Sequence, residues 1–173
     1  MRKLIIILCM LISVNIFSQD ISRNIFFAEA SGVTGIYSVN YERLLFESQN
    51  VNLGIRGGFS YVNDYHYNSG LLFPVSLSII KKIKKNHFLE IRTGLSNNLY
   101  IYKDWSGKGL GDSTNNYTPP NKLGNILIPS IGIGYRYQPK TNGLFFNILG
   151  QRVLYFSKEN WYGNLSLGLG YAF

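Results

Sequence analysis

Apolar and polar residues alternate with a period of two along most of the chain after residue 24, and no later stretch shows a convincing 3.6-residue apolar period. Successive strand side chains point to opposite faces, so this rhythm predicts strands with one apolar and one polar face. The first is expected at 25–31, with Phe26, Ala28 and Ala30 opposite Phe27, Glu29 and Ser31. After a tight turn at 32–35, a strand at 36–45 turns Tyr37, Val39 and Tyr41 outward and Ser38, Asn40 and Glu42 inward. A third strand sets Val51, Leu53, Ile55, Phe59 and Tyr61 against Asn52, Gly54, Arg56, Gly58 and Ser60. A fourth at 71–80 has Leu71, Phe73, Val75, Leu77 and Ile79 on its apolar face, opposite Pro74, Ser76 and Ser78. Pro74 lacks a ladder donor, which predicts a bulge or local irregularity.

The fifth strand places Leu89, Ile91, Thr93 and Leu95 outside and Phe88, Glu90, Arg92, Gly94 and Ser96 inside. A sixth at 126–137 directs Leu127, Ile131, Ile133, Tyr135 and Tyr137 outward, with Ser130, Gly132, Gly134 and Arg136 inward. In the seventh, Leu144, Phe146 and Ile148 face out and Asn147 and Gln151 in. The eighth, 165–173, has Leu165, Leu167, Leu169, Tyr171 and Phe173 on one face and small residues on the other. An even count puts both termini on one side, together with the short connections 46–50, 81–86 and 138–143. Apart from the first turn, the longer connections 62–70, 97–124 and 152–162 lie opposite. Short turns on one side and long loops on the other are the outer-membrane pattern, and strands of about 9–11 residues suit a tilted crossing. The expected fold is all-β, an eight-stranded antiparallel up-and-down transmembrane β-barrel. A lipocalin-like soluble barrel would need the opposite polarity, an apolar lumen and a polar exterior.

Met1-Arg2-Lys3 is a short positive region followed by the apolar run 4–14 and a plausible cleavage point after Ser18. The expected organisation is a signal peptide at 1–18 and an outer-membrane barrel domain at 19–173. The single cysteine, Cys9, lies inside the apolar run and is followed by Met10, which does not suit a lipid-attachment site; the exported chain would have no thiol chemistry. Without Arg2 and Lys3, fifteen basic residues face nine acidic ones, a net charge of +6. Lys81, Lys82, Lys84 and Lys85 cluster at one short turn and the others are scattered. An anionic membrane surface suits that distribution better than nucleic acid.

The inward face carries three acids, Glu29, Glu42 and Glu90, and three bases, Arg56, Arg92 and Arg136. An eight-stranded barrel is barely wide enough for its own side chains, so these charges must pair. They are expected to form an interior network that seals the lumen; the rival reading is a gated solute pathway. Tyrosines and Trp161 near predicted strand ends, Tyr37, Tyr41, Tyr61, Tyr100, Tyr135 and Tyr137 among them, suit interfacial aromatic girdles. Tyr65, Tyr67, Trp105 and Tyr117 lie beyond any girdle and are candidates for external contact.

Chemistry signals are weak. His87 begins a strand beside the basic turn, and His66 shares a loop with Asp64 and Ser69, a conceivable but unordered triad. The glycine-rich stretch 107–112 lacks the strand-to-helix context of a phosphate loop, and Asp104 and Asp112 lack calcium-loop spacing. No catalytic residue, cofactor or metal site is expected.

The segments Tyr37-Ser-Val-Asn-Tyr-Glu-Arg43, Phe88-Leu-Glu-Ile-Arg-Thr-Gly94, Gly134-Tyr-Arg-Tyr-Gln-Pro139 and Gly168-Leu-Gly-Tyr-Ala-Phe173 resemble a family of small outer-membrane β-barrel proteins of Bacteroidota. In architecture the chain also resembles outer membrane protein A/X-like eight-stranded barrels, and its ending resembles the C-terminal recognition strand of such barrels. The resemblance implies fold and location and adds little on activity. It implies that Leu169, Tyr171 and Phe173 serve as an assembly signal read by the barrel-assembly machinery. The expected partners are outer-membrane lipid and lipopolysaccharide, with no nucleic acid. The expected function is that of a non-enzymatic, monomeric barrel with a sealed polar interior, acting in envelope structure or in surface interaction through external loops. Alternatives are a narrow pore or conduit for small or hydrophobic solutes, and a lipid-modifying enzyme built around His66.

Overall fold

A computed structural model describes residues 21–32, 37–64, 68–103, 121–155 and 160–173. Eight strands follow one another as β1 (Asn24–Ala30), β2 (Tyr37–Glu47), β3 (Val51–Asp64), β4 (Asn68–Lys84), β5 (His87–Lys103), β6 (Asn121–Tyr137), β7 (Gly143–Tyr155) and β8 (Asn160–Ala172). Each pairs antiparallel with its sequence neighbours, and β8 returns to β1, so the sheet closes into a barrel without a free edge. Backbone bonds of 2.9 and 2.8 Å exchanged between Asn24 and Phe173 complete the seam.

Alternation along the strands becomes an inside and an outside. On β3, Leu53, Ile55, Phe59 and Tyr61 are exposed while Asn52, Arg56 and Ser60 are buried. On β4, Leu71, Phe73, Val75, Leu77 and Ile79 are exposed, and Ser76 and Ser78 are buried. Among the described residues the outer wall is predominantly apolar and the lumen largely polar, the reverse of a water-soluble barrel.

The ladders run further than hydrophobic alternation predicts. β5 and β6 stay paired from His87↔Tyr137 to Lys103↔Asn121, so the expected connection 97–124 is largely strand at its two ends. β3 and β4 pair up to Asp64↔Asn68 and β7 and β8 up to Tyr155↔Asn160, which shortens the connections expected at 62–70 and 152–162. The basic connection expected at 81–86 is a tight turn at Lys85 and Asn86, with a register shift between Lys82 and Lys84 and a left-handed φ of 31° at Lys85. At Pro74 the register toward β3 does not shift. The ladder resumes at Ser60↔Leu72 after a gap beyond Gly57↔Val75, the local irregularity that a missing donor produces.

At the end carrying both termini, two apolar clusters fill the lumen, one of Ile21, Leu44, Ile80 and Phe88, the other of Ile25, Phe27, Phe145 and Ala172. The segment before β1 is tied down there. Ser22 N–H donates to Pro139 O at 3.3 Å, Gln138 Nε2 donates to Ser22 O at 2.5 Å, and Arg23 pairs with Glu47 at 3.2 Å.

Candidate functional site

Inward parity on five strands brings Glu29 of β1, Glu42 of β2, Arg56 of β3, Glu90 and Arg92 of β5, and Arg136 of β6 into the middle of the lumen, each 3 % exposed or less. They bond in an alternating order. Arg56 Nη1 donates to Glu29 Oε2 at 2.5 Å, and Arg92 Nη1 reaches the same oxygen at 2.9 Å. Arg92 then grips Glu90 Oε1 through Nε at 2.9 Å and Nη2 at 2.6 Å. Arg136 Nη1 lies 3.6 Å from Glu90 Oε2 and donates to Glu42 Oε1 at 2.7 Å. The order Arg56–Glu29–Arg92–Glu90–Arg136–Glu42 ends on two residues that are cross-strand partners on β2 and β3, so the chain of charges curls around the lumen.

Neutral side chains extend the network. Asn40 Oδ1 accepts from Arg56 Nε at 3.0 Å, and Gln138 Oε1 accepts from Arg136 Nε at 2.8 Å. Ser78 and Asn147 donate to Glu90, and Gln151 donates to Glu29, each at 3.4 Å. The guanidinium groups of Arg56 and Arg136 lie over the rings of Phe27 and Phe145 at 4.8 and 4.9 Å, and those rings touch at 5.0 Å. The charged layer therefore rests on the apolar base through two cation–π contacts. On the other side of the charges, Leu72, Ile128 and Val153 are also buried.

Glycine gives the layer room. Gly168 lies between Asn147 and Glu29 in the register, and a Cβ there would collide with Asn147 Oδ1. Removing charges from water is costly, and only mutual pairing with full hydrogen bonding offsets that cost. The arrangement is electrically balanced, three carboxylates against three guanidiniums. Its chemistry is that of a cross-brace holding five strands.

Gln138 is the member that the sequence does not reveal. It follows the last residue of β6, where alternation carries no information, yet it is fully buried and joins Arg136 to the segment before β1. Phe145 has inward parity between Leu144 and Phe146, and that parity is the one signal that points to it.

Other sequence candidates fall elsewhere. Tyr65, Tyr67, Trp105, Tyr117, His66, Asp104 and Asp112 lie outside the described residues, as do residues 1–18. Leu169, Tyr171 and Phe173 stand on the outer wall, 63, 50 and 48 % exposed. Tyr37, Tyr41 and Tyr61 are exposed on that wall, whereas Tyr100 shares the inward parity of Ser96 and lies against Gly124, so it is no part of an outer girdle. His87 is engaged on the rim near the termini, its Nδ1 2.6 Å from Tyr135 Oη and its ring edge-on to Tyr137 at 5.6 Å. Among the described residues no group of three or more His, Cys, Asp or Glu side chains is placed to hold a metal ion.

Fold and lumen together define a closed eight-stranded antiparallel barrel with an apolar outer wall and an ion-paired interior. The crystal structure of the N-terminal β-barrel domain of Pseudomonas aeruginosa OprF is similar to it, with a TM-score of 0.52 at 17% identity over 90% of this chain and 98% of that one. Ail, the attachment invasion locus protein of Yersinia pestis, matches with a TM-score of 0.48 at 14% identity over 88% of this chain and 97% of that one. The likeness to the OprF domain is one of fold. No protein-family model and no curated protein matches the chain.

Proposed function

We propose that the chain is an integral outer-membrane protein without enzymatic activity, whose lumen is sealed by its own side chains. Its role is then in envelope structure or in surface interaction through the connections at the end away from the termini. The observation that carries this reading is the curled chain of six buried charges, seated on the apolar base and spanning a lumen only eight strands around. The apolar outer wall supports a bilayer as its solvent, because a closed barrel satisfies its backbone hydrogen bonds internally. The tight turn at 85–86 and the short connection at 138–142 support a periplasmic position for the end with the termini.

In this reading residues 1–18 direct export and 19–173 form the barrel. Leu169, Tyr171 and Phe173 on the closing strand offer the barrel-assembly machinery an apolar stripe. Tyr65, Tyr67, Trp105 and Tyr117 are the proposed contact residues for an external partner.

A narrow pore is the second reading. Its support is a set of buried polar atoms with no hydrogen-bond partner, among them Glu42 Oε2, Arg136 Nη2, Asn147 Oδ1 and Ser166 Oγ, which mark the least satisfied part of the lumen. Single-channel recording of the purified protein in a planar bilayer, with Arg56→Ala alongside, separates the two. A sealed lumen gives a silent wild type, and Arg56→Ala then misassembles without conducting. Discrete wild-type openings that grow in a correctly folded Arg56→Ala would overturn the sealed reading.

A further inference from the structure

Two arginines interrupt the apolar outer wall, Arg43 on β2 toward the end with the termini and Arg152 on β7 toward the other end. Arg152, on β7, has the outward parity of Phe146 and Ile148 and is exposed; its register partners are Ile131 of β6 and Gly163 of β8. It makes no hydrogen bond or ion pair with the described residues. Two positions nearer the termini on the same face, Gly150 sits between Ile133 and Leu165.

The two glycines are not required by the barrel itself. A Cβ at Gly150 would come no nearer than 3.8 Å to Ile133 O, one at Gly163 no nearer than 4.0 Å to Gln151 O, and neither residue has a left-handed φ. What their missing side chains create is a groove of about 700 Å³ in the wall, flanked by Ile131, Ile133 and Leu165. The groove is open to the outside along its length, so it suits a chain lying on the wall rather than a molecule enclosed by it.

Arg152 lies nine residues along β7 from Gly143. At about 3.3 Å per residue and a tilt of about 40° this is a rise of about 23 Å, close to the far edge of an apolar band about 25 Å tall. Arginine is costly at the bilayer midplane and tolerated at its edges. At the edge away from the termini its planar fork of N–H donors meets the head-group layer and matches phosphate geometry.

We infer that this groove docks a phosphorylated glycolipid of the outer leaflet, the phosphate on Arg152 and one acyl chain laid over Gly150 and Gly163. The inference rests on the outer-membrane reading above and adds a ligand class and an address on the wall.

The test is native mass spectrometry of the chain folded in detergent micelles, titrated with bisphosphorylated lipid A or with its dephosphorylated form. The wild type should retain the phosphorylated lipid about tenfold better, as expected for losing charge-assisted hydrogen bonds. Arg152→Gln should erase that preference, and Gly150→Leu should weaken retention of both forms by filling the groove. Both variants should keep the gel shift between heated and unheated samples that marks a folded barrel. Equal retention of the two lipids by the wild type, an unchanged preference in Arg152→Gln, or undiminished binding by Gly150→Leu would each overturn the site. Phosphatidylglycerol held as well as lipid A would overturn the glycolipid assignment. A wild type that shows no folded band in micelles or vesicles would sink the membrane reading itself, a failure distinct from loss of lipid preference.

Discussion

Arg136 shows how much one interior charge holds. Its guanidinium donates to Glu42 at 2.7 Å and to Gln138 at 2.8 Å, lies 3.6 Å from Glu90, and stacks on Phe145. Removing it strands Glu42 in a lumen where that carboxylate is fully buried. Breaking one partner of such a pair costs about 3–5 kcal/mol, whereas replacing both by apolar groups is often close to neutral. Arg136→Met should therefore lower the unfolding free energy in urea, measured in lipid vesicles, by about that amount, and Arg136→Met with Glu42→Leu should recover about half of it or more. If the double variant loses the full sum of the two single losses, the pair is not coupled and the cross-brace account fails. Phe145 and Gln138 belong to the same cycle, and Gln138→Leu should cost less than Arg136→Met because no charge is stranded.

At the scale of the strand, the middle of each element was legible and its far end was not. In the apolar band the two faces differ sharply, as in Leu89-Glu90-Ile91-Arg92, so parity alone places Glu90 and Arg92 inside. Beyond the band both faces meet polar surroundings. Asn97, Asn98, Tyr100 and Lys122 show no alternation, yet their backbones continue the β5–β6 ladder. Hydrophobic pattern reports burial, and backbone pairing outlasts it. The lysines of 81–84 hid strand in the same way at the opposite rim, and Gln138 escaped because it lies just outside a strand.

The strands β4, β5 and β6 each have 17 residues. That corresponds to about 43 Å of height at the usual rise and tilt, more than the roughly 30 Å hydrocarbon layer requires. Amide exchange in vesicles should therefore fall into two classes along the β5–β6 ladder. Amides at 89–95 should exchange very slowly, and those at 97–103 and 121–125 at intermediate rates, paired but reached by water. Free-peptide rates at 97–103 would show that the ladder ends where the alternation does.

On the scale of the whole molecule the decisive feature is closure. Six cross-strand pairs from Ile25↔Ala172 to Ala30↔Leu167 join the first strand to the last. An unpaired first or last strand would template association with other chains, and pairing the two within one chain removes that hazard. Closure also brings Glu29 on β1 to face Arg92 on β5, so the interior network forms only when the seam does. The exchanged bonds between Asn24 and Phe173 make that a hydrogen-bonded pair, and the next pair, Ile25 and Ala172, is then the non-bonded kind whose side chains approach more closely. Both residues are fully buried at the apolar base, so a cross-link between them reports a seam closed from within. Ile25→Cys with Ala172→Cys, in a chain beginning at residue 19, should form a disulfide under mild oxidation only after insertion into vesicles. On a non-reducing gel it should run as a single chain. It should also resist heat unfolding until reduced, because linking the two ends closes a loop of nearly the whole chain and removes about 4–5 kcal/mol of unfolded-state entropy. A dominant disulfide-linked dimer would mean that the first and last strands pair between molecules, and the single-chain barrel would have to be abandoned.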